Sequence, residues 1–264
     1  GVVMPFISAT LIESYGWREG FLFYGAFTAL VVVPLVLRLV ISKPEDVGLR
    51  PDGQLPIPPR RDGDPPAAPL AAPSPILEDR NFWVLVSVIG LLFCCQSATL
   101  THMVPRVTDS GVSLQVASLV MSLTAGLGIA GKLSFGWLVD RWTAKRAIWF
   151  TIGCQLLGQG AMLQQDSLAL FALGAALFGF GMGGVVPMQG ALIAKVFGRA
   201  RFGKALGLLR PGMFPLQIIG VPLAGWMFDA TGSYNLAFMV FIVLYLVAGM
   251  IALAFRDPER AFDD

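Results

Sequence analysis

Charge is what this chain of 264 residues lacks most. Nineteen Lys or Arg and seventeen Asp or Glu make up 14% of it, against about 25% in soluble globular proteins. With 55% hydrophobic residues and a mean hydropathy of +0.70, that deficit excludes a soluble enzyme. Disorder is excluded as well, since it requires low hydrophobicity. There is one histidine and there are three cysteines, Cys94, Cys95 and Cys154, all inside apolar runs where they pack as small hydrophobes. A disulfide-stapled scaffold needs far denser cysteine. No Cys-x-x-Cys pair, P-loop or nucleophile constellation occurs, so no metal and no cofactor is expected. A net charge of +2 gives no reason to invoke nucleic acid.

What is present is long apolar runs. Seven fit the ~18–25 residues that cross a ~30 Å hydrocarbon layer as a helix: 20–41, 82–104, 113–139, 147–164, 168–194, 205–228 and 234–255. No alternating ~10-residue pattern points to a closed barrel, so an all-α integral membrane fold is expected. The first twelve residues, GVVMPFISATLI, are apolar, too short to span and without a basic n-region, and they look like the tail of a span whose beginning is missing.

The basic residues set the orientation, because short loops rich in Lys and Arg stay cytoplasmic. One set of alternate connections holds fifteen of the nineteen cations, among them Arg38, Lys43, Arg80, Arg141, Lys145, Arg146, Lys195, Lys204 and Arg256; the opposite set holds only Arg18 and Arg106. Segment 43–80 and the C-terminal tail are therefore expected to be cytoplasmic, in a multi-pass protein expected in the plasma (inner) membrane. Ten prolines mark 43–80 as a semi-extended linker. The expected organisation is 1–42, the remnant of one bundle; 43–80, the linker; 81–256, a six-helix bundle; and 257–264, a tail.

Specific segments carry more than the count. GWREGFLFYG (16–25), KPEDVGLRPDG (43–53), RNFW (80–83), THMVPRVTDSGVS (101–113) and GKLSFGWLVDRWTAKR (131–146) resemble major facilitator transporters of the monocarboxylate and oxalate/formate porter branch. The resemblance covers essentially the whole chain. It implies a complete C-terminal six-helix half plus the end of the N-terminal half, with the first four and a half spans absent, and a chain that by itself does not transport. Gly136, Asp140, Arg141, Lys145 and Arg146 match the signature loop between the second and third spans of a bundle, with Thr143 where the family usually has Gly. There the expected role is gating or structural support: Gly136 for close packing, Asp140 at the following helix N-terminus and the cations at the anionic leaflet.

All seventeen acids lie outside the runs, yet Lys132 and Arg210 lie inside them, each costing about 2.5–3.5 kcal/mol near the membrane centre. Each stands ~9 Å toward the cytoplasm from the midpoint of its run. Three partners are open: an anionic substrate, a residue of the missing half, or lipid headgroups reached by snorkelling. By the resemblance, the Lys132 position commonly holds an Arg that contacts the substrate carboxylate, with an Asp one turn earlier in some members. Lys132 and Gly128 replace them, which favours a single-point contact and weakens direct proton coupling through this site.

His102 reads either as a proton-linked group or as an amphipathic anchor at the headgroup boundary. Gln96 with Thr99, and Gln155 with Gln159, form stripes at helical spacing that either line a wet cavity or bond between helices. Gly179–Gly184 with Pro187, and Pro211, Pro215 and Pro222, place helix-weakening residues in two spans, for flexure or close packing.

The expected function is secondary active transport of small organic anions, mono- or dicarboxylates, by alternating access. Substrate-binding candidates are Lys132, Arg210, Gln96 and His102. The partners are that anion, a proton or counter-transported anion, the lipid bilayer and the missing N-terminal bundle. An exporter of hydrophobic or drug-like compounds is the alternative within the superfamily, and a non-transporting membrane sensor or scaffold the alternative outside it.

Overall fold

The computed structural model describes residue 11 and residues 14–41, 75–164 and 167–256, in two units, Gly1–Ala68 and Pro69–Asp264. Most of the expected linker 43–80 and the tail 257–264 lie outside the described residues. Among the described residues there is no strand.

The first unit contains one long helix, α1 (Trp17–Leu39), whose middle, Thr28–Val32, is π-helical. Pro34 explains that turn. A proline ring collides with the carbonyl four residues earlier and supplies no N–H. Widening the preceding turn, so that the Val33 amide reaches the Thr28 carbonyl, absorbs the mismatch.

In the second unit a short 3₁₀ turn, Ile76–Glu78, leads into α2 (Arg80–Asp109), followed by α3 (Leu114–Arg141) and α4 (Ala144–Ala161). Then come α5 (Leu168–Gly198), α6 (Ala200–Thr231) and α7 (Asn235–Ala252). Among the described residues, six helices are long and apolar enough to cross a membrane by length and composition: α1, α2, α3, α5, α6 and α7. The run expected at 147–164 is α4, which begins three residues earlier and takes in Lys145 and Arg146 as well as Gln155 and Gln159, so its composition is less apolar.

Local chemistry sets the helix starts. Asp79, Ser113, Thr143 and Ser167 each stand at an N-cap and accept from a backbone amide of the first turn, which satisfies one of the donors a helix start leaves open. Pro105 does not end α2: the helix runs through it to Asp109. Between α5 and α6, Gly198 adopts φ 70°, the left-handed region glycine favours, and breaks what is otherwise one continuous helical stretch.

Packing between α3 and α5 is backbone against backbone. A Cβ added to Gly179, Gly183 or Gly131 would fall on the main-chain oxygen of Thr124, Gly128 or Phe180 respectively. Gly179 and Gly183 are four apart, as are Thr124 and Gly128, so each helix presents a strip of small residues at one-turn spacing. α4 meets α5 similarly: a Cβ on Gly158 would lie 2.6 Å from the Gly174 carbonyl oxygen. Around these contacts Phe82, Phe135, Phe178, Phe238, Phe241 and Tyr245 fill the core.

A two-point clamp joins the start of α2 to the end of the described chain. The Asn81 amide donates to the Arg256 carbonyl at 2.9 Å, and the Arg256 backbone N–H donates to Asn81 Oδ1 at 2.8 Å. Asn81 is buried, so Asn81→Ala removes both bonds and leaves main-chain groups unpaired. A loss of about 1–2 kcal/mol is expected, read as a fall in the thermal midpoint of the detergent-solubilised protein. An unchanged midpoint would show that the clamp carries no stability.

Candidate functional site

Two kinds of polar residue occur within the bundle helices, and the fold separates them. Lys132 on α3 and Arg210 on α6 are exposed. Their helices are the least buried of the bundle's apolar helices, with 28% and 17% of their most apolar stretch covered, against 67% for α2. Lys132 stands one turn after Gly128, which is buried against α5, and directly follows Gly131, also buried. It therefore borders the stripe that α3 packs inward. Arg210 likewise adjoins the buried Leu209. Among the described residues of the second unit, the acids are Glu78, Asp79, Asp109, Asp140 and Asp229, all at or beyond helix ends. No described carboxylate sits at the level of either cation.

The other kind is turned inward. Gln96 Nε2 donates to Gln155 Oε1 at 2.8 Å, the Tyr245 hydroxyl reaches the same oxygen at 3.3 Å, and Thr99 Oγ1 donates to Gln159 Oε1 at 3.1 Å. All five side chains are buried. The two stripes thus face each other and tie α2, α4 and α7 together through interhelical hydrogen bonds. Within this group, Gln159 Nε2 lacks a partner. Tyr245 had no polar signal in the sequence beyond its residue type, because its partner lies ninety residues away.

His102 is half-buried. Its Nε2 lies 3.1 Å from the Val221 carbonyl oxygen, and its ring packs at 5.0 Å against Tyr234, which stacks at 4.3 Å on Phe228. It joins α2 to α6 and to the turn before α7, and is not grouped with Gln96.

The signature segment is placed at the α3–α4 junction. Gly136 has nothing within 4 Å of where a Cβ would stand; close approach belongs instead to Gly128 and Gly131. Arg141 lies over the Trp137 ring at 4.2 Å, and Lys145 and Arg146 occupy the first turn of α4. The side chain of Asp140 lies outside the described residues. The helix start is capped by Thr143, whose hydroxyl accepts from the Arg146 amide at 3.4 Å. So the residue that replaces the usual glycine acts as a cap, as Thr before a helical run does elsewhere.

Arg106 is the residue the sequence concealed. Counted with the loops, it is in fact inside α2, 6% exposed, with Nη2 donating to the carbonyls of Met162 at 3.0 Å and Leu163 at 3.3 Å and the guanidinium 4.5 Å from the Phe238 ring. With Asp109, Gln164, Phe171, Ser233 and Tyr234 it lines a cavity of about 490 Å³ at the bundle end opposite Arg141. Burial, then the nearby charges of Asp109 and Asp229, push the Tyr234 phenol above its ordinary value, so it stays protonated.

Comparison with known proteins fits this arrangement. A family model described as Major Facilitator Superfamily matches residues 1–164 and 156–263. Monocarboxylate transporter 12-B of Danio rerio is 27% identical over 249 residues, covering 87% of this chain and 52% of the relative. Monocarboxylate transporter 12 of Homo sapiens is 30% identical over 165 residues, covering 61% and 32%. Monocarboxylate transporter 13 of Rattus norvegicus is 25% identical over 242 residues, covering 90% and 52%. The chain spans about half the length of the curated relatives it matches. A backbone built of long apolar helices, close-packed through glycine and matched along nearly its whole length, identifies this multi-pass membrane protein as a member of the major facilitator superfamily.

Proposed function

We propose that the chain is part of a secondary active transporter that moves small organic anions, mono- or dicarboxylates, by alternating access. The observation that carries this reading is the pair of exposed cations, Lys132 and Arg210, on two apolar helices with no described carboxylate at their level. An unpaired cation at membrane depth is costly, and an anionic substrate arriving there offsets that cost. The relatives' names, monocarboxylate transporters, support the same class of substrate.

In this reading Lys132 makes a single-point contact with a carboxylate, since an ammonium lacks the fork of a guanidinium, and Arg210 provides the second attraction. Gln96 and His102 act at one remove, holding α2 in place through Gln155 and the Val221 carbonyl. Gly136, Asp140, Arg141, Lys145 and Arg146 serve gating and support at the cytoplasmic face, to which the excess of Lys and Arg assigns 43–80 and the C-terminus. A proton or a counter-transported anion drives the cycle.

The test is uptake of a labelled monocarboxylate into proteoliposomes holding the full-length protein. Lys132→Ala and Arg210→Ala should each raise the half-saturating concentration about tenfold, the loss of about 1.4 kcal/mol of binding. Uptake with wild-type affinity in both variants removes the two cations from the substrate path.

A further inference from the structure

We propose that the cavity beside Arg106 binds a zwitterion, an α-amino acid with an apolar side chain, at a site separate from Lys132 and Arg210. Lys132 lies eighteen residues along α3 from Leu114, ~27 Å by helical rise, whereas Val112, just before α3, lines the cavity. The two places are therefore at different depths of the bundle.

The floor of the cavity is positive. Arg106 is 6% exposed and forms no ion pair with a described carboxylate; its Nη2 is held by two main-chain carbonyls and its Nε has no partner. A buried guanidinium whose partners among the described residues are carbonyl dipoles and rings is incompletely compensated by them, and it attracts a carboxylate. Tyr234, 8% exposed with a phenol that remains protonated, adds a donor on the same wall.

The rim is negative. Asp109 lines the cavity and is exposed, and it stands three residues after Arg106, hence on the same side of α2. A simple carboxylate would meet Arg106 favourably and Asp109 unfavourably; a simple amine would meet the reverse. A molecule carrying both charges satisfies both walls at once. Between them Val107, Val112, Leu168 and Phe171 supply apolar lining for a side chain, and a volume of about 490 Å³ is ample for a small molecule.

The experiment measures binding to the full-length protein in lipid nanodiscs, by calorimetry, of leucine, of its deamino analogue 4-methylpentanoate and of its decarboxy analogue 3-methylbutylamine. Leucine should bind at least tenfold more tightly than either analogue. Asp109→Asn, at an exposed position that leaves the core intact, should bring leucine down to the level of 4-methylpentanoate. Arg106→Lys should weaken leucine and 4-methylpentanoate together; because Arg106 also holds main-chain carbonyls, Asp109→Asn remains the deciding variant if Arg106→Lys does not fold. Lys132→Ala should leave leucine binding unchanged. Equal affinity for all three ligands, no detectable leucine binding, or indifference to Asp109→Asn overturns the proposal. Loss of leucine binding in Lys132→Ala also overturns it, placing the ligand at the transport cations instead.

Discussion

Gly183→Val is expected to leave no correctly assembled bundle. Any side-chain carbon at this position falls on the Gly128 carbonyl, and main chain, unlike a long side chain, has no alternative rotamer to move into. Overpacking of an ordinary core costs about 1–3 kcal/mol; here α3 and α5 must separate along the whole Thr124–Gly128 and Gly179–Gly183 contact, so the cost rises above that range. The measurement is the monodisperse fraction in size-exclusion chromatography after solubilisation, expected to drop to near zero. Gly136→Val provides the contrast: nothing lies within 4 Å of that position, so near wild-type recovery is expected. Equal recovery of both variants would show that the close approach is not needed for assembly.

Gln155→Leu is the second large effect. Gln155 Oε1 accepts from both Gln96 and Tyr245 in a fully buried layer. Removing it strands two donors in a buried layer, for an expected loss of about 2–4 kcal/mol. The thermal midpoint of the solubilised protein reports it. Because the damage comes from stranded donors, adding Gln96→Leu should restore part of the stability, and the double variant should be milder than the sum of the singles. Strict additivity would mean that Gln96 and Gln155 do not act as a pair.

The helices were legible because the bilayer imposes a length on each apolar run, and every expected run corresponds to a helix. Their ends were less legible. The apolar run ends at 104, just before Pro105, yet α2 passes through that proline to Asp109; and α4 starts at the Thr143 cap, before the apolar stretch begins. The two glutamine stripes were visible on their own helices by spacing, but their pairing was not, since it depends on how α2 and α4 meet. The same limit concealed the glycine seam. Gly179–Gly184 is conspicuous as a run, whereas Gly128 and Gly131 gain their meaning only from the neighbour they touch. Arg106 reads as a loop cation because a cation near the end of an apolar run is ordinarily solvated. Its burial depends on Met162, Leu163 and Phe238, all distant in sequence.

Because α3 and α5 meet through peptide groups with no intervening layer of side chains, they have nothing between them to shear. Lys132 thus stands on a helix locked to the α5 segment that holds Gly179 and Gly183. The helical path breaks at Gly198, beyond which α6 bears Arg210. A bend at that joint would change the spacing between the two cations while leaving the α3–α5 contact intact.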